Sequence, residues 1–249
     1  MRLKDLTIVE SRDALNEIPE GKVLINTINA HSYNVAQKDD QFAEALVKGD
    51  YLIPDGASIV KACRWLKAKS QPKERIAGWD LFIFEMDRLE RISEQQLNDR
   101  EKCKVMFVGS SENVLKKIEK RAALNYPYLN VITLSPPYKR EFSDEDISPI
   151  IKAINAANPD LLWIGMTAPK QEKLIYQHWH ELDIHCHVGT IGAVFDFYAG
   201  TVKRAPKSWQ DHSSEWLYRF LTNPRRMWRR YLLGNPLFLW HIFKEKFFG

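Results

Sequence analysis

Apolar and polar residues follow one another along most of the chain in a pattern that predicts alternating strands and helices. Short apolar runs rich in β-branched residues occupy positions 23–29, 51–54, 104–109, 131–134, 160–166 and 185–189. Positions 81–96, 112–125 and 145–155 carry apolar residues at helical spacing, and Ser143 with Asp146 predicts a capping box before the last of these helices. This alternation predicts an α/β fold, with a mostly parallel sheet and helices on both of its faces.

Polar residues gather where the predicted strands end. Thr27 and Asn29 end the first run, Asp55 follows the second, Gln171 follows the fifth and Asp196 follows the sixth. Ligands of open parallel sheets bind beyond the carboxyl ends of the strands. We therefore expect a binding site at this edge of the sheet.

Asp55 is the carboxylate that this arrangement singles out. A hydroxyl that attacks an activated sugar must lose its proton, and a carboxylate held at a strand end can accept that proton. The Asp-Gly pair after Pro54 is also good turn chemistry, and Asp is a preferred helix N-cap. The local sequence leaves the base and the cap as alternatives.

Arg75 and the APKQE segment offer groups that could hold a phosphate. The planar guanidinium of Arg75 could clamp one, or it could form a surface ion pair with Glu74 or Asp80. Pro169 suits the first turn of a helix whose free N–H groups favour a diphosphate, although the same residue suits any ordinary helix start. Both alternatives stay open at this level.

Several other kinds of site are not indicated by the sequence. It contains neither GxGxxG nor GxxxxGK[ST], which argues against a dinucleotide oxidoreductase and a P-loop enzyme. His185 and His187 share one strand face without a carboxylate or Cys at ligand spacing, so core packing or exposure at a sheet edge is expected rather than a metal site. The three cysteines are widely spaced and indicate buried small residues rather than disulfides or a zinc site. No metal and no cofactor are expected.

The last part of the chain differs in charge from the rest. Residues Lys203 to Gly249 contain ten Lys or Arg against three acidic residues, while the whole chain has a net charge of +4. Aromatic residues are interleaved with these cations, as in segments that meet anionic lipid head groups or a lipid-linked phosphate. No apolar run approaches the roughly 20 residues that span a bilayer, and the N-terminus does not resemble a signal peptide.

We therefore expect a cytoplasmic protein that is peripheral on the inner face of the cell membrane. Its core is predicted at residues 1–202, and a basic aromatic appendage that associates with the membrane is predicted at residues 203–249. An anionic membrane surface is the expected partner and nucleic acid is not, while a homo-oligomer is left open.

Taken together, the motifs resemble one known family. The segments INTINAHS, YLIPDGASIV, ERIAGWDLF, VMFVGSSENV, TAPKQEKLI, FDFYAGTVKRAP and EWLYRFLTNPRR follow one another between about Val23 and Tyr231. In order and spacing they are similar to the WecG/TagA/CpsF glycosyltransferases. The resemblance implies a Rossmann-like core and a metal-independent, inverting transfer of a sugar from a UDP-sugar to a sugar linked to undecaprenyl diphosphate. N-acetylmannosamine, its uronic acid and glucose are among the sugars that members transfer.

The resemblance also implies roles for individual residues. Asp55 matches the general base of the family. Five further residues match positions of the family's active site: Thr27, Asn29, Arg75, Gln171 and Asp196. The family's C-terminal appendage reaches the membrane and can contribute arginines to the substrate diphosphate. Four arginines of this chain match that appendage: Arg219, Arg225, Arg226 and Arg229. The rival interpretation is a nucleotide-sugar-binding scaffold of a polysaccharide assembly complex that has lost turnover.

Overall fold

The computed structural model of the chain describes residues 1–96, 101–139, 141–211 and 215–248, apart from the side chains of residues 210, 211 and 226. Its centre is a six-stranded sheet in which every strand pair is parallel. The strands are β1 (Val23–Ile28), β2 (Tyr51–Pro54), β3 (Lys104–Val108), β4 (Asn130–Leu134), β5 (Leu161–Ile164) and β6 (His187–Thr190), in the spatial order β2-β1-β6-β5-β3-β4. The predicted α/β fold with a parallel sheet is confirmed.

Helices connect the strands and continue beyond the last one. They are α1 (Ala30–Ala36), α2 (Asp40–Lys48), α3 (Ala57–Leu66), α4 (Gly78–Gln96), α5 (Glu112–Asn125), α6 (Asp144–Ala157), α7 (Lys170–Gln177), α8 (Gly192–Tyr198), α9 (Lys207–Asp211), α10 (Glu215–Thr222), α11 (Pro224–Trp228) and α12 (Gly234–Phe248). A π-helical turn, Arg229–Leu233, joins α11 to α12, and short 3-10 helices lie at Leu3–Asp5, Asp13–Glu17 and Trp179–Glu181. The predicted capping box is confirmed at α6, where Ser143 N donates to the Asp146 carboxylate at 3.0 Å.

Successive residues of each strand point to opposite faces of the sheet, and this places the helices in two layers. Val105 and Phe107 of β3 pack into a cluster with α4, α5 and α8, whereas Met106 and Val108 pack into a cluster with α6 and α7. At the β1 and β2 end of this second face, Ile28 lies in a third cluster with α1, α2, α3 and α12. Both faces of the sheet are therefore covered, as expected for an all-parallel sheet.

Helix α12 packs on the body of the protein although it comes last in the chain. Phe238 and Ile242 are buried against α1 and α3, and each such side chain contributes roughly 1.5–3 kcal/mol when fully buried. The buried Glu245 accepts hydrogen bonds from Leu3 N (2.9 Å), Lys4 N (2.6 Å) and the hydroxyl of Tyr33 (2.6 Å). The two ends of the chain are thereby joined.

The opposite side of α12 is exposed and apolar. We call this surface the α12 aromatic face, and it consists of Leu239, Trp240, Phe243, Phe247 and Phe248. The rings of Trp240 and Phe243 stack at 6.2 Å, and Phe247 also contacts Trp65 of α3. Across the described ranges, we find no helix with both the length and the apolar character needed to cross a membrane.

Candidate active site

Asp55 stands at the carboxyl end of β2, on the edge of the sheet. Its N–H donates to the carbonyl of Ile28 at 2.8 Å, which extends the β1–β2 pairing by one residue. Gly56, not Asp55, is the N-cap of α3. The carboxylate of Asp55 therefore follows the strand without serving as the cap of the next helix, and it is half-buried.

Arg75 is brought beside Asp55 by a backbone contact. Ile76 N donates to the carbonyl of Pro54 at 3.0 Å, so the segment that carries Arg75 crosses the end of β2. The guanidinium of Arg75 pairs with Glu215 of α10 at 3.1 Å, and both side chains are largely buried. A surface pair of Arg75 with Glu74 or Asp80, the alternative left open by the sequence, does not form, because Arg12 pairs with both acids instead.

Four arginines lie near enough to this carboxylate to interact with its charge, and we call them the arginine cluster: Arg75, Arg204, Arg219 and Arg230. Burial raises the pKa of Asp55 to about 6; the guanidinium groups of Arg75, Arg230 and Arg219 oppose this rise, and the carboxylate of Glu215 adds to it. Burial lowers the pKa of Arg204, against the opposing effect of the Glu215, Asp80 and Asp55 carboxylates. At neutral pH the site thus holds a carboxylate that is mostly ionised and close to its titration point.

Arg204, Glu215 and Arg230 were not identified as active-site residues from the sequence. Arg204 lies in the KRAP segment after α8 and Glu215 opens the EWLYR segment, both of which carry the family resemblance. These two motifs could therefore have indicated Arg204 and Glu215 as candidate residues of the site. Only the fold, however, brings residues from α10 and from the π-helical turn to the end of β2.

Thr27 lies on β1 and Asn29 directly follows this strand, next to Asp55. Thr27 is paired in register with Ile53 of β2, and both Thr27 and Asn29 are half-buried. The Asn29 side-chain oxygen caps α1 by accepting from the N–H groups of His31 (3.0 Å) and Ser32 (3.1 Å). Its oxygen is therefore engaged in a structural role, and a contact to substrate would have to come from its Nδ2 group.

Gln171 is buried at the start of α7, beyond the end of β5. Its Oε1 accepts from Met166 N at 3.0 Å, and its Nε2 donates to Glu172 at 2.8 Å. A side chain at Gly192 would collide with the Met166 carbonyl, so α8 can approach this loop only because that residue is glycine. Pro169 is the N-cap of α7 rather than part of its first turn. The amide of Gln171 thus fastens the β5–α7 loop.

Glu172 is a buried acid that the sequence did not single out. Its Oε2 is buried and has no hydrogen-bond partner among the described residues. Burial raises the pKa of Glu172 to about 7, although the hydrogen bond from Gln171 acts in the opposite direction. This carboxyl group is therefore partly protonated at neutral pH.

The remaining predicted residues are spread over a wider surface. Asp196 of α8 accepts from the Thr201 hydroxyl at 3.1 Å and has no described contact with Asp55. Arg219, a member of the arginine cluster, lies over the ring of Phe197 at 5.5 Å and interacts with the charge of Asp55. Arg225 and Arg229 are exposed, and Arg229 lies over the ring of Trp228 at 5.2 Å. The side chain of Arg226 lies outside the described part of the structure.

Two residues with metal-binding chemistry, His187 and Asp146, are engaged in other contacts. His187 is buried between Glu85 (2.9 Å) and the carbonyl of Pro19 (2.9 Å). Burial lowers its pKa, but Glu85 and the Pro19 carbonyl together raise the pKa by more. An Asp-x-Asp sequence at 144–146 forms the first turn of α6, where Asp146 also pairs with Lys139. Within the described residues, no group of three or more His, Cys, Asp or Glu is arranged to hold a metal ion.

Comparison with known proteins agrees with this geometry. The profile of the "Glycosyl transferase WecG/TagA/CpsF family" matches residues 1–249. An "N-acetylglucosaminyldiphosphoundecaprenol N-acetyl-beta-D-mannosaminyltransferase" of Bacillus spizizenii is 30% identical over 214 residues, which are 85% of this chain and 75% of that protein. A protein of the same name from Bacillus subtilis is 30% identical over 224 residues, 90% of this chain and 80% of the relative. The chain is an enzyme that belongs to the WecG/TagA/CpsF family of glycosyltransferases.

Proposed function

We propose that this enzyme transfers N-acetylmannosamine or a related hexose from a UDP-sugar to a sugar linked to undecaprenyl diphosphate, in the synthesis of a cell-surface polysaccharide. The observation that carries the proposal is the half-buried Asp55, whose charge interacts with the arginine cluster. The names of the two Bacillus relatives support the donor sugar and the lipid-linked acceptor. The reaction needs a base for the acceptor hydroxyl and cations for two diphosphates, and this site offers both.

Asp55 acts as the general base in this proposal. Its carboxylate takes the proton of the acceptor hydroxyl while the oxygen attacks the anomeric carbon, and the bond from that carbon to UDP breaks on the opposite face. Direct displacement of this kind inverts the anomeric centre. A pKa of about 6 suits the task, because the carboxylate is ionised at neutral pH and still basic enough to accept a proton.

The arginine cluster stabilises the leaving diphosphate. Its guanidinium groups supply positive charge beside the carboxylates of Asp55 and Glu215, and the diphosphate diester of a UDP-sugar is an anion that such groups bind. Departing UDP gains a further negative charge, and Asp55 loses its own charge when it accepts the proton. In many enzymes, charged groups that already point at the place where charge develops in the transition state supply the largest part of the rate enhancement. We propose that this reaction needs no metal ion for that reason.

The donor lies over the ends of β1, β6 and β5 in this scheme, where ligands of parallel sheets bind. Thr27 and Asn29 are proposed to contact it from the end of β1, and Gln171 and Asp196 from the other side of the crevice. Gln171 is buried and hydrogen-bonded to Met166 and Glu172. These bonds favour a role in which Gln171 holds the β5–α7 loop against the donor and makes few direct contacts with it.

We propose that the enzyme binds the inner face of the cell membrane through the α12 aromatic face, with the exposed Arg225 and Arg229 on anionic head groups. An amphipathic surface with aromatic residues and cations suits the lipid interface. Arg219 belongs to the substrate diphosphate in this account. Arg226 is assigned the same role as Arg225, only because the two residues are adjacent in the sequence.

The second candidate function is a scaffold that binds a nucleotide sugar without turning it over. Purified full-length protein distinguishes the two when UDP-sugars are offered with an N-acetylglucosaminyl diphosphate that carries a short alkyl chain. We expect release of UDP only when donor and acceptor are both present, and a product heavier by one sugar. Binding of UDP without acceptor-dependent release of UDP from any donor would favour the scaffold.

A further inference from the structure

Glu215 is an acid that lies within a site proposed to bind anions, and none of the roles above uses it. It is the first residue of α10, and its carboxylate lies 3.1 Å from Nη1 of Arg75. Only 14% of the Glu215 side chain and 21% of the Arg75 side chain are exposed. The C-terminal segment thus places a negative charge against one of the arginines that are proposed to hold a diphosphate.

The charge of Glu215 is felt at the site beyond Arg75. Burial raises the pKa of Asp55, Arg75 opposes this rise and Glu215 adds to it. Burial lowers the pKa of Arg204, and Glu215 has the largest effect among the acids that oppose this fall. A carboxylate with these effects also repels an anion that enters the site, because the interaction of two charges depends on the same distances.

A diphosphate and the Glu215 carboxylate compete for the same guanidinium group. Arginine binds phosphate and carboxylate with one planar fork of N–H groups, and Nη1 of Arg75, which Glu215 holds, belongs to that fork. A diphosphate bound through this nitrogen takes the place of the carboxylate. Glu215 then keeps other favourable surroundings, because it lies in the first turn of α10, where the helix dipole favours a negative charge.

Release of the product gives this competition a use. After transfer, UDP carries more negative charge than the diphosphate diester of the donor, because its terminal phosphate has a second group that ionises. Cations that stabilise the leaving group therefore hold UDP more tightly than they hold the donor. Repulsion from Glu215 also grows with the charge of the ligand, so it acts more strongly on UDP than on the donor.

We infer that Glu215 competes with the diphosphate for Arg75 and thereby favours the release of UDP over the release of the donor. This inference rests on the proposed function, because it takes Arg75 as a ligand of the diphosphate. A carboxylate that only held Arg75 in position for the diphosphate would have the opposite effect on binding. The sign of the change in UDP affinity therefore distinguishes the two roles.

The test is the variant Glu215→Gln, which keeps the size of the side chain and removes its charge. We expect the dissociation constant of UDP, measured by calorimetry without acceptor, to fall by about fivefold or more. The KM for the UDP-sugar should fall by a smaller factor. The affinity for uridine, which has no phosphate, should not change.

Glu74→Gln is the matched control, because Glu74 adjoins Arg75 in the sequence but pairs with Arg12. Its side chain is 44% exposed, so its charge is screened by solvent. This variant should bind UDP as wild type does. A fall in the UDP dissociation constant in both variants would show a general effect of net charge and would overturn the role of Glu215.

Unchanged or weaker binding of UDP by Glu215→Gln, with wild-type melting and uridine affinity, would contradict the inference. If this variant melts below wild type, Glu215→Asp replaces it. The shorter carboxylate of that variant withdraws from Arg75, so UDP should again bind more tightly, and unchanged binding would contradict the inference in the same way.

These measurements also separate the inference from the proposed function. If wild type binds UDP but transfers no sugar, the proposed transfer fails, while the comparison of UDP affinities still decides the role of Glu215. If wild type transfers sugar and Glu215→Gln binds UDP no more tightly, the reaction stands and the inference falls. Wild type that does not bind UDP would overturn both.

Discussion

Asp55 owes its proposed role to a balance between burial and neighbouring charge. Burial raises its pKa to about 6, and the guanidinium groups of the arginine cluster prevent a larger rise. We predict an acid limb near pH 6 in kcat/KM, because the protonated carboxyl cannot accept the acceptor proton below that pH. The diphosphate diester of the donor does not titrate in this range. Rates measured from pH 5 to 8 check the prediction, and a limb near pH 4 would show a carboxylate in an ordinary aqueous environment.

Glu172 offers a second residue whose pH behaviour can be measured, this time through stability. Its pKa is raised by burial from 4.5 to about 7, so its contribution to stability is fully present below pH 4.5 and is lost as the pH rises through 7. We predict that the free energy of unfolding of Glu172→Gln, measured relative to wild type, is higher at pH 8 than at pH 5.5. Urea unfolding at the two pH values checks this, with exposed Glu17→Gln as the control. An equal difference at both values would mean that Glu172 is ionised throughout.

At the scale of single residues, the sequence led to Asp55 and Arg75 but not to what they contact. Glu215 is separated from Arg75 by 140 positions, and no local pattern indicates that these two side chains pair. Asn29 illustrates the opposite difficulty. The sequence resemblance assigns it to the site, and the structure adds a helix cap that the flanking His31 and Ser32 complete.

Among the elements, the arginines of α10, α11 and the π-helical turn divide into two groups. Arg219 and Arg230 act on Asp55, whereas Arg225 and Arg229 are exposed. We predict that changing Arg225 and Arg229 to Gln weakens binding to anionic vesicles, by about 1 kcal/mol for each charge lost near the surface. Turnover of a short-chain, water-soluble acceptor should not change, because these side chains do not reach the site.

The matched variant changes Arg219 and Arg230 to Gln, which removes the same number of charges. Here turnover of the soluble acceptor should fall by a factor of about 100 or more, since cations that stabilise a leaving group act mainly in the transition state. Vesicle co-sedimentation and turnover without vesicles are the two readouts. Equal loss of turnover in both variants would contradict the division of the arginines.

Strands and most helices could be predicted because their apolar periodicity is local. The observed ends of the strands differ from the predicted ends by a few residues where a strand runs into a polar loop. One example is β5, which ends at Ile164, before the loop that begins at Gly165. Helix α12 could not be assigned a buried face. It is apolar nearly all round, and a helix of that kind gives no periodic signal to show which side meets the protein. Phe238 and Ile242 face the core, and the α12 aromatic face does not.

The whole molecule places an apolar surface and part of the arginine cluster on the same C-terminal segment. Helix α12 is fixed to the body by Glu245 and to α11 by the π-helical turn, so the proposed membrane surface and Arg230 of the arginine cluster are parts of one continuous helical run. Residues 203–249 remain a predicted appendage, yet the last helix packs on the body as the core helices do. An acceptor held in the membrane by its lipid would then meet the site through this segment.

Metal independence can be examined on the complete enzyme. Because the arginine cluster supplies the positive charge in this account, we predict that turnover survives dialysis against EDTA and does not rise when Mg²⁺ or Mn²⁺ is added. Acceptor-dependent release of UDP is the measurement. Full loss of turnover in EDTA with recovery on addition of one of these ions would assign the leaving diphosphate to a metal instead.

The rate of sugar transfer by the Asp55→Asn variant tests most directly the central claim that Asp55 is the general base. Asn keeps the size of the side chain but cannot accept the proton, and loss of a general base costs a factor of about 10² to 10⁴ in rate. The melting temperature at pH 7.5 should not fall, because the raised pKa means that the charge of Asp55 costs stability above pH 6. UDP affinity should stay close to wild type, and Asp40→Asn, an exposed acid at the start of α2, is the control. We predict loss of transfer with UDP binding and fold retained; a variant that kept more than about a tenth of the wild-type rate would show that Asp55 is not the base.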